Sequence, residues 1–123
     1  MPVRLRPADP HEVAAAVSRF RQGGRERADL RLLTKHFLAV LVARAPGGAV
    51  EVRVPPYAVA QCVEGTRHTR GTPPAVVETD PATWIELALG DLDWAEGVGA
   101  GRVVASGERS DLTPLLPVVS ADG

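Results

Sequence analysis

The chain has 123 residues, 45% of them hydrophobic, and a formal net charge of -1. That length fits one domain, residues 1–123, with a core that closes without disulfides. The near-neutral charge argues against nucleic acid or an anionic membrane as the dominant partner, since both need a basic surface. Cys62 is the only cysteine and Lys35 the only lysine. The opening MPVRLRPADPHE lacks the apolar stretch of a signal peptide, and the run Phe37 to Ala43 is too short to cross a bilayer. A cytoplasmic protein without stable membrane insertion is the expectation.

Residues 1–9 read as an irregular arm, broken by Pro2 and Pro7. A helix starts at Pro10, with Asp9 as its N-cap and Glu12 favouring its positive end. Val13, Val17 and Phe20 fall at helical spacing, and Gly23-Gly24 stops it. The second helix runs from Arg27 to Arg44. Its apolar stripe of Leu30, Leu33, Phe37, Val40 and Leu41, widened by Leu32, Leu38 and Val42, predicts cover on more than one side. Arg31, Lys35 and Arg44 are left as a narrow wet side. Val50, Val52 and Val54 alternate with Glu51 and Arg53 as a half-buried strand. Tyr57 to Val63 and Ala75 to Thr79 are two more strands, joined by the polar loop Gly65 to Pro74. Asp80-Pro81 opens a third helix carrying Trp84 and Leu87, which Gly90 ends. Trp94 to Val98 forms a further helical turn or two. Gly101 to Gly107 is a short strand, and Asp111 to Leu116 a closing helix stopped by Pro117.

Helices grouped before and after a run of strands predict an α+β layer fold, with the three central strands antiparallel. The run VVETDPATWIELALGDLDWAEGVGAGRVVASGERSDLTPLLP resembles the C-terminal half of the sterol carrier protein type 2 superfamily. The block PPYAVAQCVEGTRHTRGTPPAVVETDPATW resembles an actinobacterial branch of it. The resemblance covers about residues 30–118 and leaves residues 1–26 as an N-terminal arm and helix. It implies a twisted, mainly antiparallel sheet covered by helices on one face. In the lipid-binding members an apolar tunnel lies between sheet and helices, with the closing helix as one wall.

The residues available to line such a cavity are Leu33, Phe37, Val40 and Leu41 on the long helix, with Trp84, Leu87, Trp94, Leu112, Leu115 and Leu116 further on. The alternative is plain core, the commoner role of apolar residues at helical spacing. The tryptophans read better as anchors of their helices than as a cavity mouth. In the loop RHTRGTPP, Arg67, His68 and Arg70 are candidate ligands for a carboxylate or phosphate head group. The competing reading pairs the arginines with Glu64, Glu78 or Asp80, while Thr69 and Thr72 build the turn. Catalysis by Cys62 with His68 finds little support, because a lone strand cysteine is usually a small buried hydrophobe. The chain carries no phosphate loop, nucleophile elbow or common zinc spacing, so neither metal nor cofactor is expected. The function expected is a non-catalytic carrier of a lipid-like small molecule. The alternative is an interaction module with a filled core, and a homodimer stays open.

Overall fold

A computed structural model describes residues 5–65, 75–107 and 110–118. The first helix, α1 (Pro10–Arg21), begins where the sequence places it. The Asp9 carboxylate accepts the backbone N–H groups of His11 and Glu12, both at 3.1 Å. These donors have no partner inside the helix, so the cap satisfies groups that water would otherwise hold. Helix α2 (Arg27–Arg44) is the centre of the molecule. Its broad apolar stripe is covered as predicted, by α1, by the sheet and by the next helix.

Four strands follow the chain as β1 (Val50–Val54), β2 (Ala58–Cys62), β3 (Ala75–Thr79) and, after the remaining helices, β4 (Val103–Ser106). They form one sheet in the order β2-β1-β3-β4. β1 with β2 and β3 with β4 are antiparallel, whereas β3 runs parallel to β1, with Val52 opposite Val77. The three central strands are therefore not all antiparallel as expected: β2 and β3 run in opposite directions, but β1 lies between them and pairs parallel to β3, so the sheet is mixed. β2 is also shorter than the Tyr57 to Val63 expected. The Tyr57 N–H closes a turn onto the Val54 carbonyl at 3.0 Å, and Val63 leaves the extended region with φ 68. Gly47 lets the backbone pass Val63 closely, because a Cβ there would sit 2.2 Å from the Val63 oxygen.

The period-two alternation puts Val50, Val52, Val54, Ala60, Cys62, Ala75 and Val77 on the covered face, all buried. Arg53, Val59, Gln61, Glu78 and Val104 lie on the other, exposed face. Helices α3 (Pro81–Leu89) and α4 (Trp94–Gly99) complete the covering layer. Asp80 caps α3 through the Thr83 N–H at 3.1 Å. Gly90, at φ 82, takes the left-handed C-cap position that other residues resist. Arg102 ties β4 back to α3 by bonding the hydroxyl of Thr83 at 3.1 Å and the carboxylate of Glu86.

The closing segment departs from the expected helix. Only Thr113–Leu115 turns, as a 3-10 helix. Leu116 precedes Pro117, and a residue in that position is pushed out of the α region. Leu116 is accordingly extended, with φ -112 and ψ 143. Asp111 instead accepts the Thr113 N–H at 2.9 Å in a local turn.

Candidate functional site

Between the helices and the sheet, Leu33, Leu38, Leu41, Val50, Val52, Val54, Cys62, Ile85, Ala88 and Leu112 are 0% exposed. Side chains with no accessible surface touch no space large enough for a water molecule. At these residues the region expected to hold a tunnel is packed shut. Each large aliphatic group buried there contributes about 1.5–3 kcal/mol.

Open space lies instead on the outer side of α2. α1 rests on α2 through Ala16 and Phe20, both buried. Polar links hold its two ends. Arg19 forms a paired contact with Asp29 at 2.8 and 2.9 Å, and Arg21 does the same with Asp91 at 3.1 Å. Ahead of the helix, the Ala8 N–H donates to His36 Nδ1 at 2.9 Å. That bond requires an unprotonated Nδ1, and burial indeed lowers the pKa of His36. At the turn, Arg25 lies 3.9 Å over the Phe20 ring and donates to the Phe20 carbonyl at 2.8 Å.

Between these supports, Pro10, Val13, Ala14, Val17, Ser18 and Arg21 form one stripe of α1, spaced by three and four residues. This stripe faces Phe37, Val40 and Arg44 of α2 across a groove of about 880 Å³. Leu89 and Val118 complete an apolar floor, and His36, Gln22 and the arginines edge it. The C-terminal segment is pinned beside it. Arg44 donates to the carbonyls of Pro117 at 3.2 Å and Val118 at 2.6 Å, while the Val118 N–H bonds the Ala88 carbonyl at 2.9 Å.

The residues singled out in the sequence fall in several places. Phe37 and Val40 line this groove. Leu87, Trp94 and Leu116 meet around a smaller space of about 350 Å³, and Leu115 borders another of about 510 Å³. Leu33, Leu41, Trp84 and Leu112 belong to the closed core. Trp84 is an anchor, its indole N–H donating to the Thr34 carbonyl at 3.3 Å. Arg67, His68 and Arg70 lie outside the described residues. Sequence reasoning did not place Val13, Val17, Leu89, Val118 and Arg44 at a groove. The signal for the first two was present, since valines four apart share a helix face. Nothing local told whether that face met a neighbour or a space.

Cys62 is buried, and burial pushes its thiol up to about 11. It therefore stays a neutral thiol at physiological pH, unlike the thiolate that nucleophilic chemistry uses. Among the described residues no group of three or more His, Cys, Asp or Glu side chains is arranged to hold a metal ion. None of the described helices is long and apolar enough to cross a membrane.

A helical layer over one face of a four-stranded mixed sheet, preceded by an extra helix, is the architecture of a sterol carrier protein-like domain. A family model described as "Bacterial SCP ortholog" matches residues 26–118, and the chain belongs to this sterol carrier protein-like family. The match leaves out all of α1. Among curated proteins none matches the chain.

Proposed function

We propose that this protein is a non-catalytic carrier of a lipid-like apolar ligand, held in the groove between α1 and α2. The observation that carries the reading is the groove itself. Its volume of about 880 Å³ falls inside the roughly 300–1,000 Å³ of small-molecule sites. Its floor of Val13, Val17, Phe37, Val40, Leu89 and Val118 offers hydrocarbon to hydrocarbon. Burial of each ligand methylene contributes about 0.8 kcal/mol, so a long chain is held without many polar contacts. Family membership supports the same role. Leu87, Trp94 and Leu116 are a second, smaller apolar contact region in this proposal. Arg67, His68 and Arg70 enter it only through their sequence, as head-group candidates.

The closed core and the exposed Val59 and Val104 on the open sheet face favour a second reading, a protein-interaction or self-association module. Native mass spectrometry of freshly purified protein separates the two. The carrier reading expects a co-purifying lipid in the wild type that is lost in Val17→Asp, with the melting temperature little changed. Absence of a bound lipid, together with failure to take up added long-chain ligand, would sink it and leave the module reading.

A further inference from the structure

The strand registers place the outward side chains of the open sheet face in two rows. From β2 to β4 one row reads Val59, Arg53, Glu78, Val104, and the next reads Gln61, Glu51, Val76, Ser106. Val59 and Val104, at the two ends of the first row, are 56% and 64% exposed. The charges between them are only partly matched within the chain. Arg53 turns along its own strand to Glu51, reaching it through Nε at 2.7 Å and Nη2 at 2.6 Å. A guanidinium has five N–H donors, and these two contacts do not use those on Nη1. Glu78 stands beside Arg53 in the register, yet none of the ion pairs among the described residues includes it. A row of valine, cation, anion and valine is complementary to its own reversal. A two-fold axis along the strands, between β1 and β3, produces that reversal in a second copy. It sets Arg53 of each copy against Glu78 of the other, and Val59 against Val104. Twisted sheets stack face to face in this aligned way. An axis across the strands would instead set Glu78 against Val76 and bury its charge without a partner, which is costly.

We infer that the open sheet face is the interface of a homodimer, two copies stacked about an axis parallel to their strands. The inference rests on the self-association reading and is independent of the carrier reading, since the groove lies on the outer side of α2. Arg53 bridges Glu51 of its own strand and Glu78 of the second copy. Each face carries two carboxylates to one guanidinium, so the charges fix the orientation of the partner and burial of the valines supplies the attraction. Four strands about 4.8 Å apart and four or five residues long make a patch of roughly 15 Å each way. That is at the small end of specific interfaces, so the dimer exchanges readily with monomer.

Sedimentation equilibrium of the full chain, from roughly 10 µM to 1 mM, tests this. The wild type should pass from monomer to dimer across that range. Arg53→Glu and Glu78→Arg each set like charges against one another at both pairs, and each should weaken association about tenfold or more. An equimolar mixture of the two variants should associate again, because each copy brings the charge that the other has lost. Val59→Asp should weaken association without altering either charge. A wild type that stays monomeric throughout overturns the dimer and the self-association reading together, and leaves the carrier reading standing. Association that survives all three substitutions overturns this face and leaves self-association standing. Loss in the single variants without recovery in the mixture overturns the Arg53–Glu78 pairing and the axis that it defines. If Arg53→Glu does not fold, Glu78→Arg and Val59→Asp decide, and a dimer unweakened by both overturns the face.

Discussion

Two interfaces of α2 are built from the same kinds of side chain, and they end differently. Toward the sheet and α3, Leu33, Leu38, Leu41 and Ile85 meet the valines of β1 and β3 with no accessible surface left. Toward α1, Phe37 and Val40 meet Val13 and Val17 across a groove. The difference lies in what fixes the spacing. On the sheet side polar ties exist too, Arg102 to Thr83 and Glu86 and Trp84 to the Thr34 carbonyl, but they sit where the apolar layers already meet, and no space is left between them. On the α1 side the helix ends are held by Arg19 to Asp29, Arg21 to Asp91 and Ala8 to His36. Buried Ala16 and Phe20 add one line of contact, and the valines beside it are held short of closure. An apolar surface held apart by polar links is available to a ligand; one free to collapse is not.

The sharpest way to break this contrast is to empty the closed side. Leu33→Ala removes a fully buried side chain from the centre of α2. It should lower stability by about 2–5 kcal/mol, since a rigidly packed layer collapses only in part around the missing group. Denaturant unfolding reads it directly. A loss below about 1 kcal/mol would mean that the layer is not close-packed there.

A smaller effect of opposite sign comes from Thr34. Its hydroxyl is buried without a hydrogen-bond partner among the described residues, although its carbonyl serves Trp84. Thr34→Val keeps the shape and removes the unsatisfied group, and should raise stability by about 1 kcal/mol. A loss of stability would show that the hydroxyl bonds an enclosed water, and that the helix–sheet layer is less dry than its side chains indicate.

Much of this arrangement was legible in the sequence because it is written locally. Asp9-Pro10 and Asp80-Pro81 mark helix starts whose capping atoms lie within three residues of each other. Gly90 marks an end because its dihedral requires it. The alternation from Val50 to Val54 names the covered face of β1. What escaped is what depends on distant partners. No feature of Ala75 to Thr79 says that it pairs parallel to β1 instead of lying beside β2. The apolar spacing of Leu112, Leu115 and Leu116 suggested a helix, but only Thr113–Leu115 turns, and Leu116, held extended before Pro117, ends it. Val13 and Val17 look the same whether they meet a side chain or a gap. Arg44 looked like solvent-facing polarity, and only the return of Pro117 and Val118 to the end of α2 gives it a place beside the groove.

The gentlest test acts on the polar links. His36 accepts the Ala8 N–H only while its Nδ1 is unprotonated. Burial lowers its pKa in the folded protein, so the unfolded chain takes up the proton first as pH falls. The stabilisation is therefore complete above the ordinary histidine pKa of about 6.5 and is lost as pH drops through the lower folded value. Asp29 titrates in a different window. Its carboxyl is held below the usual aspartate range by the hydrogen bonds from Arg19, so that link persists until the solution is far more acid. Between the two windows one end of α1 should be loosened and the other kept. Hydrogen exchange measured on both sides of the histidine transition should show faster exchange at residues 8–13 and unchanged exchange near residue 20. His36→Phe should remove that pH dependence. Equal acceleration along the whole helix would mean that α1 docks as one unit, and that its polar ends do not set the spacing that leaves the groove open.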